Sequence, residues 1–296
     1  MRYAAIHQLR RAHAVGTLCR ALGVPSSSYH AWCWRAARRA ATGEAADETR
    51  LVAALTEAHG ASRGTYGRPR LTRELQAQGF AIGERRVARW QRRLGLWGKR
   101  RGATRRGGRR ASERAPAPNV LARAFHVGRP NERWASDTTW IPTREGALAL
   151  AITMDLGSRR IVGWATSPTL DHHLTREALA RAVAQRGVPP GLLHHADLGS
   201  EYIAQRYCDD LAAAKIRLSF SRPGNCRDNA VVESFFGSLK NECVPATPGG
   251  FATQASAIIH LFDYIEVFYN HQRRHSTLDC LSPVDYETQH TSQNSA

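Results

Sequence analysis

The sequence predicts an α/β protein: a mixed sheet flanked by helices, preceded by an all-α region with helix-turn-helix units. Three observations predict it. The N-terminal third carries its apolar residues at helical spacing. From about residue 132 the pattern changes to short apolar runs of strand length. Three such runs come first, and helices and strands then alternate, the order of a mixed sheet with helices on its faces.

Residues 1–40 read as helical and basic. "VGTLCRALGVPSSSYHAW" has the shape of a helix, a turn and a second helix start. Leu18, Cys19 and Leu22 make one face, Gly23 stops the helix, and Ser26 to Ser28 offer N-caps. The pattern is compatible with a helix-turn-helix and equally with a plain apolar helical hairpin. "YGRPRLTRELQAQGFAIGERRVARWQRRLGL" predicts a helix over 70–78, a turn over 79–83 and a second helix over 84–94. In that second helix Val87, Trp90 and Leu94 form an apolar stripe. Arg85, Arg89, Arg92 and Arg93 fall on the other side. An apolar back and an Arg-lined front, reached through a short Gly turn, fit a helix that docks on DNA. A solvated cationic face carries the same charges.

"WGKRRGATRRGGRRASERAPAP", residues 97–118, holds eight Lys or Arg, four Gly and two Pro. That composition cannot build a core and reads as a flexible basic linker lying along phosphates, so the domain boundary belongs here. Beyond it, "RWASDTTWIPT" is a short strand. Apolar runs at 147–154 and 160–166, joined by a turn over 155–158, signal a hairpin. "HLTREALARAVAQRG" is an amphipathic helix, and "GLLHHAD" a buried strand ending on Asp197. "EYIAQRYCDDLAAAKI" reads as one helix and "RLSFS" as a further strand. A helix follows over "NAVVESFFGSLKNE", and another covers about 253–270. Trp134, Trp140 and Trp164 are expected in the core.

Charge points to the partner. Lys plus Arg number 42 against 25 Asp plus Glu, a formal net charge of +17. So strong a bias favours a polyanion, nucleic acid first. The six cysteines form no C-x-x-C pair, which argues against a zinc knuckle and for a reduced, cytoplasmic protein. No apolar run approaches the ~20 residues of a membrane span, and the N-terminus lacks a secretory h-region.

Three acids stand at special places: Asp137 in the first strand, Asp197 at the end of the fourth, and Glu233 in the helix after the fifth. Ligands gather at strand ends in open α/β sheets. Phosphodiester chemistry with two divalent ions needs carboxylates converging from separate elements, because hard Mg²⁺ prefers oxygen ligands. Lys240 lies seven residues after Glu233, nearly two helical turns, and so on its face. Glu242 is about half a turn out of phase and expected to point outward. Asp228 sits where an N-cap would. Asp155 reads as a turn residue. Glu201, Asp209 and Asp210 read as a solvated helix face, and His194 and His195 as packing or hydrogen-bonding groups.

The stretches "LCRALGVPSSSYHAW", "YGRPRLTRELQAQGF", "RWASDTTWIPT", "GSRRIVGW", "HADLGSEY", "GNCRDNAVVESFFGSLKNE" and "YNHQRRHSTLDCLSPVDYE" together resemble the IS3-family insertion-sequence transposases, second-frame product. The resemblance covers nearly the whole chain. It implies an RNase H-like core with a DDE triad on two Mg²⁺ (or Mn²⁺) ions, here Asp137, Asp197 and Glu233. The family spacing leaves 35 residues between the second and third acids, as here, and puts a basic residue seven after the Glu, here Lys240. Family members more often have Ser at the Ala196 position and Gln at the Glu201 position. Glu201 therefore adds negative charge near the metal site.

The organisation so implied is a helical DNA-binding region over 1–96, the linker over 97–118, an integrase catalytic core over 119–245, and a C-terminal helix and tail over 246–296. The resemblance implies binding of terminal inverted repeats and target DNA, metal-dependent strand cleavage, and strand transfer through a 3′-hydroxyl. It implies a homo-oligomer on DNA in the bacterial cytoplasm, at the nucleoid, and fusion or association with a first-frame product. Two other readings use some of the same features. A non-catalytic DNA-binding derivative is opposed by the intact triad. An RNase H-type nuclease acting on RNA–DNA hybrids is opposed by the N-terminal helices.

Overall fold

The computed structural model describes residues 1–41, 44–99, 115–125 and 128–294. Residues 100–114 of the expected linker lie outside this set. The chain divides into two compact units, Met1–Ala61 with Leu71–Leu96, and Ser62–Arg70 with Trp97–Ala296.

The first unit is all helical. Helices α1 (Arg2–Leu9), α2 (Val15–Ala21) and α3 (Ser26–Ala41) meet around Ile6, Leu18, Cys19 and Tyr29. Gly23 makes the α2–α3 turn at φ 61°, a left-handed conformation open to glycine at no steric cost. Helix α4 (Glu44–Ala61), which the sequence reading passed over, buries Leu51, Leu55 and Ala58. Helix α5 (Arg68–Ala77) begins two residues earlier than expected. Helix α6 spans Glu84–Leu94 as predicted and ends at Gly95, φ 68°. Its stripe differs from the expectation. Val87 is fully buried, but Leu94 is 37% exposed and Gln91 is buried in its place. Gln91 Nε2 donates to the Leu96 carbonyl at 3.1 Å, which makes its burial tolerable.

The second unit is built on a five-stranded sheet of order β3-β2-β1-β4-β5. Strands β1 (Arg133–Ile141), β2 (Leu148–Asp155) and β3 (Ile161–Ser167) form an antiparallel meander. Strands β4 (Leu193–Ala196) and β5 (Arg217–Phe220) are added parallel to β1. Every residue of β2 is buried, so helices cover both faces of the sheet. Helix α7 (His172–Arg186) is capped by Asp171, whose carboxylate accepts from the His173 and Leu174 amides. It packs against β3 at Gly163, where a Cβ would lie 2.2 Å from the Ala178 carbonyl oxygen.

The segment 201–216, expected as one helix, is two: α8 (Ser200–Ile203) and α9 (Gln205–Ala213), broken at Ala204 with ψ 132°. Tyr202 and Tyr207 explain the break. Both are almost fully buried, and on one continuous helix they would point well apart. Helix α10 (Ala230–Glu242) follows a 3-10 turn and packs on β1 through its apolar face, where Val232, Phe235, Phe236 and Leu239 are buried. Helix α11 (Gln254–Phe262) widens into a π-helical turn, Asp263–Tyr269, which buries Tyr264, Ile265, Phe268 and Tyr269. Asn270 then pins strand β3, accepting from the Ile161 amide and donating to its carbonyl, both at 3.0 Å. Helix α12 (Pro283–Asn294) lies where a tail was expected. Its Glu287 accepts from Arg160 at 2.8 Å and from Arg186. Trp134 and Trp164 are core residues; Trp140 is 41% exposed and is not.

Candidate active site

Asp137 and Asp197 are neighbours across the sheet. The parallel register pairs Arg133 with Leu193 and Ala135 with His195. Continued by two residues, it sets Asp137 beside Asp197. Strand β4 ends at Ala196, so Asp197 is the first residue past the strand, at the edge where ligands gather. A local bond holds it: the Gly199 amide donates to Asp197 Oδ1 at 3.0 Å. Asp137 Oδ1 likewise accepts from the Thr138 amide at 2.7 Å. Both side chains are half-buried.

Helix α10 brings the other two groups. Asn229 Nδ2 donates to the Ser136 carbonyl at 2.9 Å, tying the start of the helix to β1 one residue before Asp137. Glu233 and Lys240 share one side of α10, as helical phase predicts, and both are half-buried. Burial lowers the pKa of Lys240, and the nearby Asp137 carboxylate opposes that shift. Lys240 therefore stands within the field of Asp137. Among the described residues, no three His, Cys, Asp or Glu side chains group closely enough to hold a metal ion. The structure thus unites Asp137 with Asp197 and puts Glu233 on the adjoining helix, without closing the three into one tight cluster.

Sequence reasoning missed Tyr202 and misjudged Glu201. Burial raises the Tyr202 pKa well above the usual phenol range, and the charges of Asp137, Asp197 and Glu201 raise it further. Its hydroxyl is buried with no hydrogen-bond partner. Glu201 is 5% exposed rather than solvated, and Thr138 Oγ1 donates to its Oε1 at 2.9 Å. Gly199 leaves room for that carboxylate, since a Cβ there would lie 2.8 Å from Glu201 Oε2. The "HADLGSEY" stretch held the signal: Gly199, Ser200 and Glu201 follow within four residues of an Asp that stands just past a strand.

The remaining polar groups are structural. Asp228 is not an N-cap; Asn229 holds that position and no side chain caps α10. The Asp228 carboxylate is fully buried and receives Arg222 at 2.8 Å, Arg123 at 2.8 Å and Asn119 at 2.9 Å. The Arg222 hydrogen bond is the main reason its pKa lies well below the carboxylate range. Glu242 does not point into solvent either; it is buried against Arg273 and Tyr264. Asp155 stabilises its turn by accepting from the Gly157 and Ser158 amides at 2.7 and 2.9 Å and from the Asn131 amide. His194 bonds Ser136 at 2.8 Å and Tyr207 at 3.2 Å, and His195 bonds Ser219 and Ser221 at 2.9 and 3.1 Å. Asp210 pairs with Arg176 at 2.5 Å.

In the first unit, Arg85, Arg89, Arg92 and Arg93 are all exposed on α6. Arg93 stacks over Trp90 at 4.7 Å, and Arg92 Nε donates to the Ala88 carbonyl at 3.3 Å.

A mixed sheet of this order with helices on both faces is the architecture of an integrase-core polynucleotidyl transferase. Residues 128–226 and 214–283 match the integrase core domain, and residues 46–104 match an HTH-like domain. The chain is 36% identical over 289 residues to the transposase InsF for insertion sequence IS3A of Escherichia coli strain K12, covering 97% of this chain and 98% of that one. It is 37% identical over 225 residues to the transposase for insertion sequence element IS904 of Lactococcus lactis, covering 76% of this chain and 88% of that one. Among solved structures, the HTLV-2 integrase catalytic core domain in complex with magnesium aligns over 54% of this chain and 97% of that one. The identity there is 17% and the TM-score 0.40. The chain belongs to the IS3 family of insertion-sequence transposases.

Proposed function

We propose that this transposase cuts DNA strands at element ends and joins them to new phosphodiesters by in-line attack, with Asp137, Asp197 and Glu233 as its catalytic carboxylates. The observation that carries the reading is the parallel register of β1 and β4, which, continued by two residues, brings Asp137 beside Asp197. The helix bearing Glu233 and Lys240 is tied to that same stretch of β1.

The donor set fits hard divalent cations. It consists of carboxylate oxygens, and the charges of Asp137 and Asp197 reach the buried Tyr202 hydroxyl. Asp137, Asp197 and Glu233 would hold two Mg²⁺ (or Mn²⁺) ions, which supply Lewis-acid stabilisation of the attacking and leaving oxygens. Asp137 and Asp197 are each oriented by a backbone donor, the Thr138 and Gly199 amides. Lys240, half-buried next to Asp137, meets a phosphate of the DNA end and fixes it against the carboxylates. Arg85, Arg89, Arg92 and Arg93 provide exposed cations for phosphate contacts on the element end. Glu201 adds a buried carboxylate near the half-buried pair and raises the site's preference for cations. The protein works as a homo-oligomer on DNA, fused to or associated with a first-frame product.

The test is an oligonucleotide carrying the element's own terminal repeat, incubated with the purified chain and Mg²⁺. Nicked strands with 3′-hydroxyl ends and joined products are expected. Cleavage of RNA–DNA hybrids with no DNA joining would instead make the chain an RNase H-type nuclease.

A further inference from the structure

Helix α10 has a second working face. On the side away from Glu233 and Lys240, the second unit forms a half-open cavity of about 450 Å³. Its walls carry Arg70, Lys99, Arg159 and Arg273 against a single carboxylate, Glu242. That carboxylate is already engaged by Arg273 at 2.6 and 2.8 Å. Among the described residues of the wall, no further carboxylate matches the remaining three cations. Hydroxyl groups of Ser, Thr and Tyr make up much of the rest of the lining.

The deepest of these groups are left unsatisfied. Arg159 is only 8% exposed; one of its terminal nitrogens donates to the Phe125 carbonyl at 3.1 Å, while the other is buried with no partner. His275, also 8% exposed, has a buried Nε2 with no partner. Burial, with the fields of Arg273, Arg70 and Arg159, keeps that imidazole neutral. Arg159 is held at φ 62°, the left-handed region that non-glycine residues rarely adopt. A buried guanidinium nitrogen without an acceptor is costly, and the like charges of Arg70 and Arg273 add to the cost. An anion offering several oxygens removes both penalties at once.

We propose that this cavity is an anion site that takes a phosphate group, held by Arg70, Arg159 and Lys99 with hydroxyl donors around it. Planar guanidinium forks match the tetrahedral oxygens of phosphate. The group arrives either on a DNA backbone or as a free phosphate compound. The site is distinct from the proposed catalytic carboxylates, since Glu233 lies on the other side of α10.

Inorganic pyrophosphate is the probe, titrated calorimetrically into the full chain. One site per chain is expected. Arg70→Gln should weaken binding at least tenfold, and so should Thr277→Glu, which puts a carboxylate on the exposed rim without touching the core. Arg206→Gln, which removes an exposed cation elsewhere, should leave binding unchanged. Circular dichroism and the melting temperature show which variants stay folded, and Thr277→Glu decides the matter if Arg70→Gln does not. If pyrophosphate also competes with a duplex of arbitrary sequence and Thr277→Glu weakens that duplex, the phosphate is DNA's. If duplex binding is untouched while pyrophosphate binding is lost, the ligand is a free phosphate compound. The proposal is overturned if pyrophosphate does not bind at millimolar concentration, or if folded Thr277→Glu binds it like the parent chain.

Discussion

Glu242 and Arg273 form a buried, two-pronged ion pair: Arg273 donates to the Glu242 carboxylate at 2.6 and 2.8 Å, with the two side chains only 7% and 6% exposed. The Tyr264 hydroxyl adds a third bond at 2.8 Å. Burial alone would lower the Arg273 pKa, but the Glu242 carboxylate outweighs it and the net shift is upward. The pair locks the end of α10 to the chain after the π-helical turn. Glu242→Ala leaves a buried guanidinium without its counter-charge, and the expected loss is about 3–5 kcal/mol of stability. Urea denaturation of the two proteins checks it. A loss below about 1 kcal/mol would mean that Arg273 finds solvent or another partner.

The paired buried histidines predict acid sensitivity. Burial pushes His194 down to about 3 and His195 down to about 4. The unfolded chain therefore binds protons that the folded chain refuses. By linkage, stability is present above the ordinary imidazole pKa of ~6.5 and is lost as pH falls from there towards 4. Each histidine contributes a slope of up to about 1.4 kcal/mol per pH unit in that window. Urea midpoints measured from pH 7.5 to 4.5 should drop steeply, and His195→Gln should flatten the curve. A flat profile in the parent chain would show that both rings are reached by water.

The proposed role of Lys240 is to meet a phosphate of the DNA end from its half-buried position on α10. Lys240→Gln should cut joining at least tenfold while the melting temperature stays within about 2 °C, since surface changes seldom exceed ~0.5 kcal/mol. Comparing activity with thermal unfolding separates the two roles. A variant that unfolds would assign Lys240 to structure.

The exposed arginines of α6 should act through phosphates. Removing one phosphate contact lowers the slope of log K against log salt by about 1. Arg89→Gln and Arg92→Gln, measured by anisotropy on the terminal repeat at several salt concentrations, should each reduce the slope by that amount. An unchanged slope would make α6 a solvated face.

Local physics was legible in the sequence and distant pairing was not. The β1–β3 meander, α6 and the shared face of Glu233 and Lys240 follow from period and phase within single elements. Asp228 was misread because its partners, Arg222, Arg123 and Asn119, come from separate segments and turn an N-cap candidate into the centre of a buried cluster. Glu242 was misread for the same reason: nothing near it announces Arg273. Leu94 satisfied the helical period but occupies the last turn of α6, where Gly95 redirects the chain and Gln91 takes the buried position. The break at Ala204 and the π-helical turn are compromises among buried aromatic rings, which become visible only once the sheet is in place. Asp137 and Asp197 were singled out from strand position and family spacing, but their adjacency rests on a parallel register that no local pattern encodes.

The central claim is that Asp137, Asp197 and Glu233 act as one catalytic unit. The direct measurement is strand joining on a terminal-repeat oligonucleotide by Asp137→Asn, Asp197→Asn and Glu233→Gln, each nearly isosteric and each checked for retained DNA binding and melting temperature. Each variant is expected to bind DNA as the parent does and to lose joining by at least a thousandfold, about 4 kcal/mol of transition-state stabilisation. Wild-type joining by any one of them, in a folded and DNA-bound protein, would contradict the account.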